Sequence, residues 1–204
     1  AAKPTVKALV VGNPANTNAA ILSRAAPTLP RESISALTRL DQNRAQSLAA
    51  RRLGVPADTV SDVIIWGTHS SAPYPDLRHA RTTVEPTPGS VVARIDDASW
   101  VEGEFVSTIQ KRGAAVIAAR KLSSAASAAK AIADHLRDWA LGSDGRIVSM
   151  GVYTEGAEYG TPTGLYYSLP VRCEAGGSYK VVTGLPVDDF SRSMMDATGR
   201  ELAE

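Results

Sequence analysis

The 204-residue sequence contains one cysteine, Cys173, and that scarcity excludes several chemistries at once. No internal disulfide can form, no CxxC pair exists and no Cys/His zinc spacing is available, so a reducing compartment is expected and no metal site is implied. An excess of one charge is also missing: 22 Lys and Arg face 21 Asp and Glu. The balance leaves neither a basic footprint for nucleic acid nor an acidic tail. No apolar run reaches the length of a membrane span. The opening AAKPTVKALVVGNP lacks the layout of a secretory leader, and the final Leu202, Ala203 and Glu204 are not the peroxisomal tripeptide. No GxGxxG follows a strand pattern, so the dinucleotide fingerprint is absent, and there are no internal repeats.

What is present reads as alternating strands and helices. VKALVVG (Val6–Gly12) is a near-continuous apolar run, the pattern of a parallel strand buried on both faces. It begins within a few residues of a start that has no Met, which suggests an upstream segment. Asn16–Ala26 has helical spacing and is broken by Pro27 and Pro30. A short strand is expected over Glu32–Leu37, then a helix over Leu40–Leu53 closed by Gly54. Val60–Gly67 and Val91–Ile95 read as strands, joined by a loop rich in Ser, Pro and Thr that runs to Gly89. Trp100 to Ala140 is mostly helical, bent near Gly113 and around Lys121–Ser124, and its Ala-rich second half offers a small-residue face for another helix. Arg146–Tyr153, Leu165–Val171 and Ser178–Val182 suit an antiparallel meander. Asp188 or Asp189 can cap a final helix. The expected class is α/β: the end of a parallel sheet, then mixed helices and an antiparallel sheet.

Three short motifs carry chemistry. In VVGNPANTN, Asn13 follows the first strand directly, where ligands gather in open α/β sheets, and Pro14 stops the ladder. An amide there can donate and accept without charge, although Asn-Pro is also ordinary turn chemistry. In TRLDQNRA, Asp41 and Arg44 share one helix face. Thr38-x-x-Asp41 resembles a capping box, which makes Asp41 a cap and Arg44 a surface cation. The alternative has Asp41 orienting a histidine and Arg44 gripping a carboxylate with two parallel donors. In IIWGTHSS, an apolar strand ends by presenting His69 among small residues. Of the three histidines, His135 falls in a helix and His79 in a loop; only His69 follows a strand where a ligand is expected, with a pKa suited to proton transfer in either direction.

Taken in order, VVGNPANTN, LTRLDQNRA, IIWGTHSS with YPD, QKRGAAVIAARKLSSAASAAKA and GLPVDDFSR resemble the lactate/malate dehydrogenase family, in its cytosolic malate dehydrogenase branch. The resemblance implies NAD as cofactor, malate and oxaloacetate as substrates, a homodimer and a cytoplasmic location. It implies that residues 1–39 are the end of a Rossmann domain and 40–204 the catalytic domain, with the phosphate-binding turn and mobile loop upstream. Carried over by position, His69 is the acid/base and Asp41 its partner. Arg44 grips a substrate carboxylate, Asn13 contacts substrate near the nicotinamide, and Ser123 and Ser124 line the nicotinamide and substrate pocket. Ser127 is read as helix packing. Thr68 stands where the family usually has Asn. The GTHSS context favours malate over lactate, and the chain alone is expected not to turn over. A non-catalytic dimerising fragment is the alternative from another class.

Overall fold

The computed structural model describes residue 3 and residues 5–70, 72–84, 89–156 and 158–204. Ser71 of the IIWGTHSS stretch and residues 85–88 of the following loop lie outside them. Strand β1 (Ala8–Val10) leads through the Gly12–Asn13–Pro14 turn into helix α1 (Ala15–Ala25). β1 is half-buried, not buried on both faces as expected: Val6 and Val11 keep 36% and 38% exposure on the edge of the sheet. Strand β2 (Ile34–Ala36) is wholly buried and leads at once into α2 (Arg39–Leu53), which Gly54 closes.

The run read as one strand over Val60–Gly67 is two, β3 (Val60–Ser61) and β4 (Ile64–Trp66). Asp62 breaks it at φ +58°, where its carboxylate accepts from the Ile147 N–H at 2.9 Å. Strands β5 (Tyr74–Asp76), β6 (Arg81–Thr82) and β7 (Gly89–Ser90) follow. Val91–Ile95, expected as a strand, is helix α3. Periodicity cannot separate the two over five residues, and the end signals decide: the Ser90 hydroxyl caps the Ala93 N–H, and Asp96 closes the turn at φ +49°.

A π-helical turn over Trp100–Phe105 feeds α4 (Val106–Arg120), which runs unbroken through Gly113. The break expected around Lys121–Ser124 is present, with Lys121 at φ +58°, before α5 (Ala125–Leu141). The alanines of the first turns of α5 are largely uncovered, and α5 meets α2 through polar links: Arg39 to Asp138 at 2.8 Å and Asn43 to Asp134 at 3.0 Å. The meander appears as expected, as β8 (Val148–Tyr153), β9 (Tyr166–Glu174) and β10 (Ser178–Val181). Helix α6 (Asp189–Ala203) starts from the Asp188 side chain, which accepts from the Ser191 N–H at 2.7 Å.

One five-stranded sheet, ordered β1-β2-β8-β9-β10, joins the parallel pair to the antiparallel meander. The junction is the single register Ala36↔Gly151. A side chain at Gly151 would lie 2.7 Å from the Ala36 Cβ, so the two strands approach this closely only because position 151 has none. β4 packs on this sheet: Ile64, Ile65 and Trp66 are fully buried, and the Ile65 N–H donates to the Ser149 hydroxyl at 2.9 Å. The effect is to aim the end of β4 at the end of β2, where α2 begins.

Candidate active site

Three elements supply the site. The first turn of α2 carries Asp41 and, one turn on, Arg44. Thr38, the expected cap, makes no side-chain cap bond. Its hydroxyl lies 2.8 Å from the Ser168 hydroxyl, which is itself 2.7 Å from the Ile65 carbonyl. Asp41 is therefore free of the helix end, buried at 3% exposure, and available to another partner.

That partner is His69. Nδ1 of the imidazole lies 2.5 Å from Asp41 Oδ2, while the other oxygen, Oδ1, lies 3.7 Å from the Arg44 guanidinium. One carboxylate thus orients both cations. With Nδ1 committed, Nε2 is the nitrogen that a substrate would meet. Arg44 also donates to the Ser124 hydroxyl at 3.1 Å, across from the Lys121–Ser124 connection. Ser123 is exposed and Ser124 half-buried, so of the two serines it is Ser124 that joins the cluster. Asn13 is exposed on the turn after β1 and makes no side-chain hydrogen bond among the described residues. Ser127 is exposed too, its hydroxyl donating back to the Ser124 carbonyl at 3.1 Å, so packing does not explain it.

The electrostatics favour a protonated imidazole. Burial disfavours the charge on His69, but the hydrogen bond to Asp41 and that carboxylate's negative charge outweigh it, with Arg44 opposing; the pKa rises above the usual 6.5. Burial lowers the pKa of Arg44, Asp41 raises it and Arg112 lowers it, with a net downward shift from 12.5. The other two histidines sit differently. His79 Nε2 is 3.7 Å from the buried Asp76 carboxylate, which accepts from the Trp66 indole at 3.1 Å. His135 is wholly buried edge-on to Trp139, and burial together with Arg39 pushes its pKa down to about 3. No group of three or more potential metal ligands occurs among the described residues. A cleft of about 320 Å³ between α2, α4 and α5 is lined by Arg44, Arg51, Arg112 and Lys130 beside apolar side chains. It touches Arg44 but not His69.

Sequence reasoning passed over the groups that hold the His69 loop. The Gly67 N–H and carbonyl pair with Ser168 at 3.1 and 2.8 Å. The Thr68 N–H donates to the Thr198 hydroxyl of α6 at 3.0 Å, and Ser70 meets Glu201 one turn later. The His69 N–H donates to the side-chain oxygen of Asn16, in the first turn of α1, at 2.8 Å. PANTN offered Asn16 only as a helix start; nothing local marks a side chain that will meet residues some fifty and 150 positions away.

Gly67 has no room for a side chain. A Cβ there would lie 2.1 Å from Thr198 Oγ1 and Cγ2, and φ is +86°. Gly67→Ala should destabilise the fold by about 2–5 kcal/mol, combining the left-handed backbone cost with overpacking. The midpoint of urea unfolding measures it; an unchanged midpoint would mean that α6 gives way freely.

Known proteins resemble this chain over nearly its whole length. Residues 38–204 match the lactate/malate dehydrogenase, alpha/beta C-terminal domain family. The cytoplasmic malate dehydrogenase of Zea mays is 54% identical over 206 residues, covering 100% of this chain and 61% of that protein. The chain thus spans about three-fifths of the length of the curated relatives it matches. Among solved structures, the malate dehydrogenase of Naegleria fowleri superposes with a TM-score of 0.91 at 42% identity, covering 98% of this chain and 60% of that one. The lactate dehydrogenase of Trichomonas vaginalis, in complex with NADH and oxamate, superposes with a TM-score of 0.93 at 38% identity, covering 98% of this chain and 61% of that one.

Proposed function

Because the chain belongs to the lactate/malate dehydrogenase family through its α/β C-terminal domain, we propose that it is the catalytic part of a cytoplasmic NAD-dependent malate dehydrogenase. The observation that carries this reading is the His69–Asp41 pair at 2.5 Å with Arg44 on the same carboxylate. A proton carrier and a forked cation are what a 2-hydroxy acid needs: one group for the hydroxyl proton, one for the adjacent carboxylate. On oxidation, the hydroxyl of malate gives its proton to Nε2 of His69. Asp41 holds the Nδ1–H, fixes the tautomer and stabilises the imidazolium that forms. In the other direction, the Nε2–H polarises the oxaloacetate carbonyl and protonates its oxygen. Arg44 offers two parallel N–H groups to the C1 carboxylate.

The chain's own residues fit part of a dinucleotide site. Asn13 presents a neutral, uncommitted amide at the carboxyl end of the parallel β1–β2 pair, and Ser124 adds a hydroxyl beside Arg44. Asn13 and Ser124 would hold the nicotinamide end, which when bound supplies the hydride exchange. Ser123 stands next to them as the further hydroxyl of the pocket. In this reading residues 1–39 close a nucleotide domain and 40–204 form the substrate domain. Exposed Ile117, Leu122 and Leu141 on and between α4 and α5 suit a homodimer or a docked nucleotide domain.

A second reading has support from the lactate dehydrogenase superposition, since the same pair serves any 2-hydroxy acid. The two separate in one assay. The complete polypeptide carrying this chain should consume NADH with oxaloacetate and far more slowly with pyruvate. Equal or faster consumption with pyruvate moves the assignment to lactate; no consumption with either sinks both.

A further inference from the structure

The loop that carries His69 is gripped by one side chain from a distant part of the chain. Asn16 is 2% exposed in the first turn of α1. Its Oδ1 accepts from the His69 backbone N–H at 2.8 Å, and its Nδ2 donates to the Tyr166 carbonyl at 2.7 Å and the Gly67 carbonyl at 3.2 Å. From the opposite side, Thr198 of α6, 1% exposed, accepts from the Thr68 N–H at 3.0 Å. Three successive residues, Gly67, Thr68 and His69, are thus pinned through their backbones by two side chains on two helices.

We propose that Asn16, seconded by Thr198, is a positioning residue that sets the His69 imidazole against Asp41 and locks the Asn13 turn in register with it. The inference rests on the assignment of His69 as the proton carrier. Buried polar groups need partners, and satisfying three of them could be the whole role of Asn16. Two observations give it more. First, Asn16 holds the backbone N–H of His69 itself, the residue whose ring meets Asp41. Second, Asn16 is three residues from Asn13, and Asn18 donates to the Gly12 carbonyl at 2.8 Å, so the Asn13 turn is tied to the same helix. The two substrate-facing groups at the ends of β1 and β4 therefore share one mount. Asn is suited to it: Asp lacks the donor for the Tyr166 and Gly67 carbonyls and would bury a charge, and Ser is too short to bracket both sides.

The test uses the complete polypeptide carrying this chain, with Asn16→Ala, Thr198→Val and Thr198→Ser. His69 is followed by NMR titration of its ring protons, identified by their loss in His69→Gln. Asn16→Ala is expected to move the His69 pKa down toward or below 6.5 and to lower kcat by about 10–100-fold. Thr198→Val should act in the same direction and less; Thr198→Ser, which keeps the acceptor, should lie nearer the parent. A fall in melting temperature alone, with titration and kcat at parental values, overturns the proposal. If Asn16→Ala does not fold, parental titration and kcat in Thr198→Val overturn it equally. The titration needs no turnover, so a parent inactive with oxaloacetate would sink the dehydrogenase reading while the tether is still decided by NMR.

Discussion

Asp41→Asn is expected to lower kcat of the complete enzyme by about 10²–10⁴-fold, the range for a lost proton relay. The amide is the same shape, but it has no charge to hold the imidazolium and can turn its NH2 toward Nδ1, leaving Nε2 protonated when it should accept. What then acts on His69 is burial and Arg44, and both lower its pKa. The activity limb for oxaloacetate reduction, which needs the protonated ring, should therefore move to lower pH. Stability carries the same signature. In the parent, the raised His69 pKa stabilises the fold fully below about 6.5, and the contribution is lost as pH rises through the folded value. Asp41→Asn should abolish that loss. His135 works in the lower window: its pKa of about 3 keeps it neutral, so stability falls as pH drops below 6.5 toward that value, and Asp41→Asn should steepen this limb, because its His69 is then depressed as well. Urea midpoints between pH 4 and 9 measure both limbs. A parental rate and an unchanged upper limb would show that the 2.5 Å contact has no part in the chemistry.

Arg44→Lys should cost about 10–100-fold in kcat/KM for the dicarboxylate, on the order of one charge-assisted hydrogen bond. An ammonium keeps the charge beside Asp41 but offers no planar fork. It must also choose between the substrate and the Ser124 hydroxyl, which the guanidinium serves with one nitrogen while leaving others free. Folding stability should change little, because Arg44 makes a 3.7 Å ion pair with Asp41 and a single hydrogen bond to the Ser124 hydroxyl, which an ammonium can partly replace. Steady-state kinetics with oxaloacetate alongside thermal melting separate the two effects. Parental kinetics would reduce Arg44 to a link between α2 and the Lys121–Ser124 connection.

Both variants depend on a feature that local rules misassign. Thr38-x-x-Asp41 satisfies the capping pattern, yet Thr38 turns to Ser168 and Asp41 to His69. The cap competes with partners 130 positions away for Thr38 and 28 for Asp41, and those are invisible to a four-residue motif. Val91–Ile95 failed for the opposite reason. Its composition is strand-like, but Ser90 and Asp96 at its ends determine the helix. Gly113 did not bend α4 because a glycine inside a helix costs only about 1 kcal/mol, which the neighbouring turns absorb.

The amino-acid order by itself determined most of the strand and helix sequence, with β5 to β7, the Val60–Gly67 split and helix α3 excepted, together with the meander of β8 to β10 and an Asp cap on the final helix. These follow from periodicity, turn residues and side-chain type, all properties of neighbours in the chain. Only the tertiary structure decided that Asp41 leaves its helix end, that Ser124 joins Arg44, and that Asn16 and Thr198 hold the His69 loop. Those are hydrogen bonds made across the junction of β2, β4 and β9, and they exist because burying the sheet brings distant polar groups together where each must find a partner.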